Sequence, residues 1–458
     1  MKSFRFYIAL WMAKLAIHGL KLMKRNATFM PGKIALKICP DFLEQIGKPE
    51  KIIGVTGTNG KTTVCNMIND ILTQNGYELL DNRLGSNIQS GITASLITGA
   101  NLKGEQRKKL AIFEIDERSS KLIYPYIQPD YIVCTNLFRD SSKRNAHTDF
   151  IVDILNSSIP EKSKLILNAD DLISSNLAKE NKRVYFGIDR LETDTKESIN
   201  IVHDIIVCPN CSTKLQYEYY RYNHFGKAHC PNCDFKSHEA DYLVQKIEKE
   251  ENRMRILVKG KEEIYPLVSN SLINIYNELA AITVLREFGL TKEQITNAIV
   301  NLKIVETRFS EEKIKDKTII LHLAKGQNPI ACSRVMDYVR QEPGKKIVVL
   351  TLDDVEDNRD ASENITWLYD TDFELLKEPN IVQIIVAGPR YLDMKLRLLI
   401  AGIEENKIVA LEKEEQVANK LKLDEAEKIF FLHDMWKFEV AKKIKEQVRN
   451  ILEGGESK

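Results

Sequence analysis

The stretch KIIGVTGTNGKTT, residues 51–63, joins a short β-branched strand to a glycine-rich turn that ends in Lys-Thr-Thr. Gly57 and Gly60 let backbone N–H groups converge on phosphate oxygens, because glycine has no Cβ and permits positive φ. Lys61 would reach the terminal phosphates of a nucleotide, and Thr62 would bind Mg²⁺. The upstream glycine lies one residue further away than in the strict Walker pattern. We therefore predict a cradle for a nucleoside triphosphate; the alternative is a strand-to-helix turn without a ligand.

Apolar strands alternate with helical segments after this turn. The helix that follows it is expected to stop at Gly76, and strands are expected over residues 110–116 and 130–137. This alternation predicts a mostly parallel α/β sheet covered by helices on both faces, with ligands at the carboxyl ends of the strands. The polar residues near such ends are Glu114, Asp116, Glu117 and Asn136.

The length of the chain and a second run of alternation predict more than one domain. The 458 residues exceed what a single hydrophobic core usually supports. A new alternation of strands and amphipathic segments begins after Arg308, which predicts a second, smaller, Rossmann-like α/β unit. We expect an N-terminal helix and lead-in over residues 1–45, a central domain over 46–307 and a C-terminal domain over 308–458.

The N-terminal segment, residues 3–23, is apolar but interrupted by charge. Arg5, Lys14, His18 and Lys21 break the run, whereas a membrane-spanning helix needs about 20 nearly uncharged residues. The persistent charges and the absence of a small-residue cleavage site are also unlike a secretory signal. We expect an amphipathic helix docked on the first domain, with a helix lying on a membrane surface as the alternative.

Four of the eight cysteines form two matching knuckles, Cys208-Pro-Asn-Cys211 and Cys230-Pro-Asn-Cys233. Two thiolates on one tight turn can bind the same Zn²⁺, and two such turns complete a closed four-cysteine site without an open position for catalysis. We predict a structural zinc ribbon in an insert over residues 203–238. Disulfides or a redox pair are the alternative, which the scattered single cysteines elsewhere argue against, since they are typical of a reduced cytoplasmic protein.

Aromatic and basic residues crowd the span between the two knuckles: Tyr217, Tyr219, Tyr220, Arg221, Tyr222, His224, Phe225 and Lys227. Such a mixture can stack on nucleobases. The other interpretation is that these side chains cover a small β ribbon, and the flanking chain, which is not basic, favours it. The whole chain has 66 basic and 65 acidic residues, a net charge of +1, which argues against purely electrostatic binding of nucleic acid. We therefore expect no nucleic-acid partner.

Taken together, the motifs resemble the Mur ligase family over most of the chain. The shared motifs are the phosphate turn, the acidic strand end, Thr135-Asn136, Asn168-Ala169-Asp170-Asp171 and Asn274-Ile-Tyr-Asn277. Further segments are similar to the members that amidate lipid II: the four-cysteine insert, MPGKIALK at 30–37, TNLFRD at 135–140 and WLYDTDFE at 367–374. The resemblance implies an α/β fold with a Mur-ligase-like central P-loop ATPase domain, the zinc-ribbon insert and a smaller C-terminal domain.

The resemblance also implies roles for individual residues. Lys61 and Thr62 would hold the ATP phosphates and Mg²⁺, and Glu114 would supply a carboxylate to the metal. Arg308 would meet the phosphates or the ribose. Asn136 would lie at the active-site strand end, while Asn274 and Asn277 would face the adenine; a turn or helix-surface role is the alternative for each asparagine. The full nucleotide-binding set is Gly57, Thr58, Asn59, Gly60, Lys61, Thr62, Thr63, Asn136, Asn274 and Asn277.

The reaction that the resemblance implies is the amidation of a carboxylate. The α-carboxyl of D-glutamate in the lipid II stem peptide would attack the γ-phosphate of ATP, and ammonia would then displace phosphate from the acyl phosphate. Ammonia implies a class-I glutaminase partner in a heterodimer, since Cys332 lacks the strained glycine-flanked turn of a nucleophile. An acid of the C-terminal domain would orient that partner's catalytic histidine; Asp360 is the first candidate and Asp370 the second, with a solvated loop acid as the alternative. We expect a cytoplasmic protein; whether it works at the inner face of the membrane is left open by the sequence.

Several segments depart from the family pattern, two of them at proposed site residues, and two other functions fit parts of the sequence. Ser141-Ser142-Lys143-Arg144 follows TNLFRD, so that Ser141 stands where many Mur ligases place a magnesium-binding histidine. The arginine motif reads Thr307-Arg308-Phe309-Ser310, without its glycine and glutamate. The rival functions are a self-sufficient Mur-like ligase that adds an amino acid, and a zinc-ribbon ATPase that binds nucleic acid.

Overall fold

The computed structural model describes residues 2–140, 147–302, 309–353 and 364–454. These residues form two compact units. The first holds residues 2–138, 148–197 and 205–302, and the second holds the remaining described residues, including 198–204. Arg308, Asp360, Thr307 and the Ser141–Arg144 departure lie outside the described residues.

The first unit is an α/β domain around a nine-stranded sheet. Its elements in chain order are α1 (Phe4–Leu22), α2 (Met30–Ile38), α3 (Phe42–Gln45), β1 (Lys51–Thr56), α4 (Lys61–Gln74), β2 (Leu79–Asp81), α5 (Gln89–Gly99), β3 (Leu110–Glu114), α6 (Ser120–Ile123), β4 (Tyr131–Cys134), α7 (Thr148–Ser158), β5 (Lys164–Asn168), β6 (Arg183–Ile188), β7 (Gln216–Tyr222), β8 (Phe225–His229), β9 (Tyr242–Glu248), β10 (Arg253–Val258), β11 (Lys261–Pro266), α8 (Leu272–Phe288) and α9 (Lys292–Ile299). The sheet order is β2-β3-β1-β4-β5-β6-β9-β10-β11, with β2 to β9 parallel and the last two pairings antiparallel. The mostly parallel sheet is therefore confirmed.

The order of this sheet places β1 in its interior, between β3 and β4. Five of the six residues of β1 are buried, as its β-branched sequence leads one to expect of a strand covered on both faces. Helix α4 leaves the carboxyl end of β1 directly. In a parallel sheet, this position at the strand ends is where ligands bind.

The cysteine-bearing insert lies between β6 and β9. Strands β7 and β8 pair as an antiparallel hairpin in a two-stranded sheet of their own. The chain then returns to the central sheet, where β9 pairs parallel with β6. The insert therefore leaves the order of the main sheet unbroken.

The second unit is a smaller α/β domain around a six-stranded sheet. Its elements are β12 (Phe309–Ile314), β13 (Lys317–Leu323), α10 (Pro329–Gln341), β14 (Lys346–Thr351), α11 (Trp367–Asp370), β15 (Ile381–Ala387), α12 (Tyr391–Ile400), β16 (Ile408–Leu411), β17 (Lys428–His433) and α13 (Phe438–Glu453). The sheet order is β12-β13-β17-β14-β15-β16; β12 and β13 are antiparallel and the other pairs are parallel. Buried apolar clusters cover both faces of this sheet.

Helix α1 docks on the first unit through one face. Phe6, Leu10 and Ile17 of that face are buried in the same apolar cluster as residues of α5 and the central sheet. The Lys14 ammonium group donates to the carbonyl oxygens of Ile97 (2.8 Å) and Ala100 (2.6 Å) at the end of α5. Among the described residues, none of the helices is both long and apolar enough to cross a membrane.

Candidate active site

The turn between β1 and α4 has the backbone conformation that its glycines predict. Gly57 has φ +122° and Gly60 has φ +88°, values that favour glycine over any residue with a Cβ. A Cβ on Gly57 would lie 2.3 Å from the Thr135 hydroxyl oxygen, and one on Gly60 would lie 2.1 Å from Asn277 Oδ1. Gly60 is the N-cap of α4 and supplies no capping side chain. The positive end of the helix dipole at this turn therefore favours an anion.

A protein carboxylate lies in this turn. Glu117 Oε1 accepts the Gly57 N–H at 2.8 Å and pairs with the Lys61 ammonium nitrogen at 2.8 Å. The side chains of Lys61 and Glu117 are only 13% and 10% exposed. Burial raises the pKa of the Glu117 carboxyl, and the charge of Lys61 opposes that rise. The Gly57 N–H and the Lys61 ammonium group, which the sequence assigns to phosphate, thus both contact one negatively charged oxygen. Convergent donors of this kind form an anion-binding site.

Glu117 is a site residue to which the sequence argument assigned no role. The sequence places it near the carboxyl end of β3, but only Glu114 received a function there. Its position three residues beyond Glu114 was the available signal. The contact with Lys61 depends on how the chain turns after β3, and this path cannot be read from the spacing of the acids.

Glu114 ends β3 beside the strand that leads to the phosphate turn. The parallel register pairs Glu114 with Val55 of β1. The Asn87 amide donates to Glu114 Oε1 at 3.0 Å, while the backbone N–H and C=O of Glu114 both bond to the side chain of Asn82 at 2.9 Å. The half-buried carboxylate is thereby held in place as a hard oxygen donor of the type that Mg²⁺ prefers.

The end of β4 braces the turn from the other side. The Asn136 amide accepts the Asn59 N–H and donates to the Asn59 carbonyl, both at 2.9 Å, and the Thr135 hydroxyl donates to the same carbonyl at 2.6 Å. The Thr58 hydroxyl donates to the Phe138 carbonyl (3.0 Å) and accepts the Phe138 N–H (2.9 Å). Asn136 therefore lies at the strand end, as expected, where its side chain fixes the backbone of the turn.

The two asparagines of α8 occupy different positions. Asn277 is buried, and its side chain lies against Gly60 of the turn. Asn274 is half-buried; its amide donates to the Ser269 hydroxyl at 3.3 Å, and its backbone N–H is capped by Ser271. Helix α8 thus begins close to the phosphate turn. The assignment of both asparagines to adenine stays a prediction.

The four knuckle cysteines form one compact cluster, with all four Sγ atoms within 4.8 Å of one another. Sγ–Sγ distances are 3.4 Å for Cys208 and Cys233, 3.4 Å for Cys211 and Cys230, and 3.7 Å for Cys211 and Cys233. A tetrahedral zinc site with Zn–S bonds of about 2.3 Å needs sulfur atoms about 3.8 Å apart. Disulfide sulfurs would lie about 2.0 Å apart, and all four cysteines are free. The donor set therefore fits a closed structural zinc site.

The insert packs on the active-site edge of the sheet through its hairpin. The ring of Phe225 stacks on Phe138 with centroids 5.0 Å apart. His224 Nε2 lies 2.9 Å from Asp171 Oδ1, and the second oxygen of Asp171 accepts the Leu137 N–H at 2.8 Å. Because Phe138 also bonds to Thr58, the hairpin supports the segment that braces the phosphate turn.

An ion network joins the insert to α8. Arg221 pairs with Asp170 and Asp194, each at 2.8 Å, although its own side chain is only 1% exposed. The Tyr276 hydroxyl of α8 donates to the same Asp170 oxygen at 2.5 Å. The side chains of Arg221, Tyr219, His224 and Phe225 are thus buried in contacts within the protein. This packing supports the β-ribbon interpretation of the aromatic segment.

The second unit contains the remaining candidate. Asp370 is the last residue of α11, and its carboxylate lies 3.5 Å from Arg139 Nη1. Arg139, from the TNLFRD motif, also pairs with Asp204 at 2.6 Å. The side chain of Asp370 is 35% exposed, which leaves the carboxylate accessible from solvent.

Comparisons with known proteins agree with this architecture. Family models match at residues 55–285 (Mur ligase middle domain) and 325–435 (MurT ligase C-terminal). The chain is 34% identical to the MurT subunit of lipid II isoglutaminyl synthase (glutamine-hydrolyzing) from Staphylococcus aureus strain COL, over 87% of this chain and 89% of that protein. It is 30% identical to the subunit of the same name from Streptococcus pneumoniae, over 90% and 91% of the two chains. The solved structure of a pseudomurein peptide ligase type C from Methanothermus fervidus has the same fold, with a TM-score of 0.66 and 22% identity over 89% and 81% of the two chains.

Proposed function

Because this chain belongs to the Mur ligase family and to its MurT group, we propose that it is the ligase subunit of a lipid II isoglutaminyl synthase. It is an ATP-dependent ligase. Its proposed reaction is the amidation of the D-glutamate α-carboxyl in the lipid II stem peptide, which yields D-isoglutamine. The lipid-linked acceptor would bring the enzyme to the membrane, and its proposed place of action is the cytoplasmic face.

The chemistry proceeds through an activated carboxyl group. A carboxylate oxygen of the acceptor attacks the γ-phosphorus of ATP, the bond to the β,γ-bridging oxygen breaks, and ADP leaves. Ammonia then adds to the acyl phosphate, loses a proton and expels inorganic phosphate. Most of the rate enhancement in such transfers comes from positioning and charge neutralisation. This chain would supply both at the turn between β1 and α4.

Each group near the turn has a part in this proposal. Lys61 and the turn amides would neutralise the phosphate oxygens. Thr62 and Glu114 would hold Mg²⁺, which would offset the negative charge of the phosphates. Asn274 and Asn277 would bind the adenosine end, and Arg308, outside the described residues, would meet the phosphates or ribose. The observation that carries the proposal is that Gly57 N–H and Lys61 meet on one buried anionic oxygen.

The test is Lys61→Ala in the chain assayed with its glutaminase partner and lipid II. Amidation should be abolished while the fold survives, because the ammonium group binds an anion rather than packing in the core. Lys51→Ala is a matched control at the other end of β1, where an exposed lysine pairs with Asp130; such surface pairs are worth at most about 1 kcal/mol. Retained amidation by Lys61→Ala would contradict the assignment of the turn.

Ammonia in this proposal comes from a class-I glutaminase that forms a heterodimer with this chain. Cys332 is unsuited to glutamine hydrolysis, because it is fully buried and its thiol donates to the Ala324 carbonyl at 3.1 Å. Burial also raises the pKa of that thiol well above its ordinary value, whereas a nucleophile needs the thiolate. Asp360, with Asp370 as the second choice, would orient the catalytic histidine of the partner.

Dependence on the nitrogen source tests this division of labour. Purified alone, the chain should amidate lipid II with ammonium salts and not with glutamine, and added glutaminase should restore glutamine use. A chain that consumes ATP only with a free amino acid would instead be a self-sufficient ligase. A structural Zn²⁺ at the four cysteines completes the proposal; native protein without one equivalent of zinc would contradict that part alone.

A further inference from the structure

Helix α1 has a second apolar face, opposite the one that docks on the first unit. Its large side chains recur at intervals of three, four and seven residues and so lie along one side of the helix: Phe4, Ile8, Trp11, Leu15 and Leu22. Their exposed fractions run from 37% to 78%. The docking face, with Phe6, Leu10 and Ile17, is buried. Only one of the two apolar faces of this helix is therefore covered within its own unit.

Other exposed apolar residues extend this face or lie near it. Met12 is 48% exposed, and Met23, directly after the helix, is 61% exposed. The Trp11 indole N–H donates to the Leu102 carbonyl at 3.1 Å, and Leu102 is itself 66% exposed. Contiguous exposed apolar groups of this kind mark interaction sites. The hydrogen bond of Trp11 also fixes the indole at this surface, where an amphipathic ring is favoured at a membrane interface.

The charged residues of α1 and of the segment that follows it, up to residue 40, have one sign. Residues 2–40 contain eight lysines and arginines and neither aspartate nor glutamate, in a chain whose total charge is only +1. Six of the eight are exposed: Arg5, Lys21, Lys24, Arg25, Lys33 and Lys37. The basic excess is therefore concentrated at this end of the chain. Clustered basic residues beside an amphipathic helix attract anionic lipid headgroups.

From these observations we infer that the outward face of α1, with the basic residues around it, binds the surface of an anionic phospholipid bilayer. The helix, about 28 Å long at 1.5 Å per residue, would lie in the plane of the interface. Its apolar side chains would enter the headgroup region while the lysines and arginines contact lipid phosphates. A protein partner could cover the apolar stripe as well, but the one-signed charge favours a surface that is negative throughout. This surface would hold the enzyme at the membrane that contains its lipid-linked acceptor, and in that respect the inference rests on the proposed function.

The experiment is flotation of the full chain with vesicles that contain neither lipid II nor nucleotide. Binding is expected to vesicles of phosphatidylcholine mixed with phosphatidylglycerol, and to be weakened by salt; vesicles of phosphatidylcholine alone should bind much less. Lys21→Gln with Arg25→Gln should lower the partition coefficient about 30-fold, since each basic residue near such a surface contributes about fivefold. Leu15→Ala with Leu22→Ala should lower it at least about tenfold, since each change removes apolar groups from the interface.

Matched controls come from the second unit. Lys442 and Lys443 of α13 are exposed lysines, and Leu392 and Leu396 of α12 are exposed leucines at 58% and 51%. Lys442→Gln with Lys443→Gln, and Leu392→Ala with Leu396→Ala, should leave partitioning unchanged. The inference is wrong if wild-type chain does not float with anionic vesicles, or if the control pairs weaken binding as much as the α1 pairs. Amidation of detergent-solubilised lipid II by the α1 variants should stay normal. Loss of vesicle binding with normal amidation would therefore concern the surface alone, whereas absence of amidation in the wild type would concern the proposed function.

Discussion

Replacing Glu117 with glutamine should make the empty enzyme bind ATP more tightly. In the structure the Glu117 carboxylate occupies donors that we propose bind the nucleotide, because one oxygen accepts the Gly57 N–H and pairs with Lys61, both at 2.8 Å. ATP must break these contacts before its phosphates can take their place. Glu117→Gln keeps the size of the side chain and a neutral acceptor for Gly57, but it removes the ion pair.

The size of the effect follows from the burial of the pair. Solvent screens it little, since the two side chains are 10% and 13% exposed. A hydrogen bond to a charged group is worth about 1.5–3 kcal/mol, so its loss from the unliganded state should lower the dissociation constant for ATP about 10- to 150-fold. The bound state changes in the same direction, because glutamine removes a negative charge from beside the polyphosphate.

Protonation provides a second readout of the same contact. The pKa of Glu117 is raised by burial, and departure of Lys61 to a phosphate would remove the charge that opposes this rise. Nucleotide binding by the wild type should therefore take up a proton and strengthen as pH falls, whereas Glu117→Gln should lack this dependence. Calorimetry in buffers of different ionisation enthalpy measures both the affinity and the proton uptake.

Glu114→Gln is the matched control for this experiment. It lies three residues away in the same acidic segment, and as a proposed Mg²⁺ ligand it should weaken binding of Mg·ATP while changing that of metal-free ATP little. Opposite signs for the two variants would separate an acid that competes with phosphate from one that serves the metal. Unchanged or weaker affinity in a folded Glu117→Gln protein would refute the reasoning.

Three further predictions concern other parts of the chain. Burial raises the pKa of Glu278 from 4.5 to about 8, so as pH rises the unfolded chain loses this proton before the folded chain does. The free energy of unfolding of the wild type should therefore fall by about 3 kcal/mol between pH 4.5 and 7 relative to that of Glu278→Gln. Urea unfolding at both pH values measures this difference, and an equal change in the two proteins would contradict the prediction. Zinc removal by chelation should increase hydrogen exchange across residues 205–238 before ATP affinity falls, because the metal would close the insert and would reach the turn only indirectly, through side chains such as Phe225 and His224. Loss of affinity first would place the metal in the reaction. Asp360→Asn should spare nucleotide binding and slow glutamine hydrolysis by the complex, and unchanged hydrolysis would transfer the role to Asp370.

The local parts of the site could be predicted from the sequence because local backbone chemistry determines them. Glycine permits the positive φ that a tight turn requires, as Gly57 and Gly60 show, and the β-branched residues before them favour a buried strand. Each Cys-Pro-Asn-Cys knuckle spans only four residues, so its sequence determines its local geometry. Only the approach of the two knuckles to each other had to be inferred. Helix α4 ends at Gln74, two residues before Gly76 with its φ of +81°, where the sequence predicts the helix to stop.

The contacts that depend on the path of the chain could not be predicted. Glu117 reaches Lys61 across 56 residues, and Asn136 reaches the turn backbone across 77 residues. Residues 198–204 lie within the span of the first unit yet belong to the second, and no break in composition marks this exchange. The role of the aromatic residues between the knuckles could not be predicted for the same reason. Their burial against Phe138 shows that they pack in the fold instead of forming a surface that stacks on nucleobases, and burial depends on the tertiary structure.

The position of the insert connects the knuckle cysteines to the phosphate turn through two chains of contacts. Asp170 and Asp171 follow β5, next to the strand that ends at the brace of the turn. Asp171 joins His224 of the insert to Leu137, while Asp170 joins Arg221 of the insert to Tyr276 of α8, whose next residue, Asn277, lies against Gly60. Buried charges are costly unless every partner stays in place. By closing the knuckles that hold Arg221 and His224 in position, zinc would therefore stabilise both sides of the phosphate turn without touching the substrate.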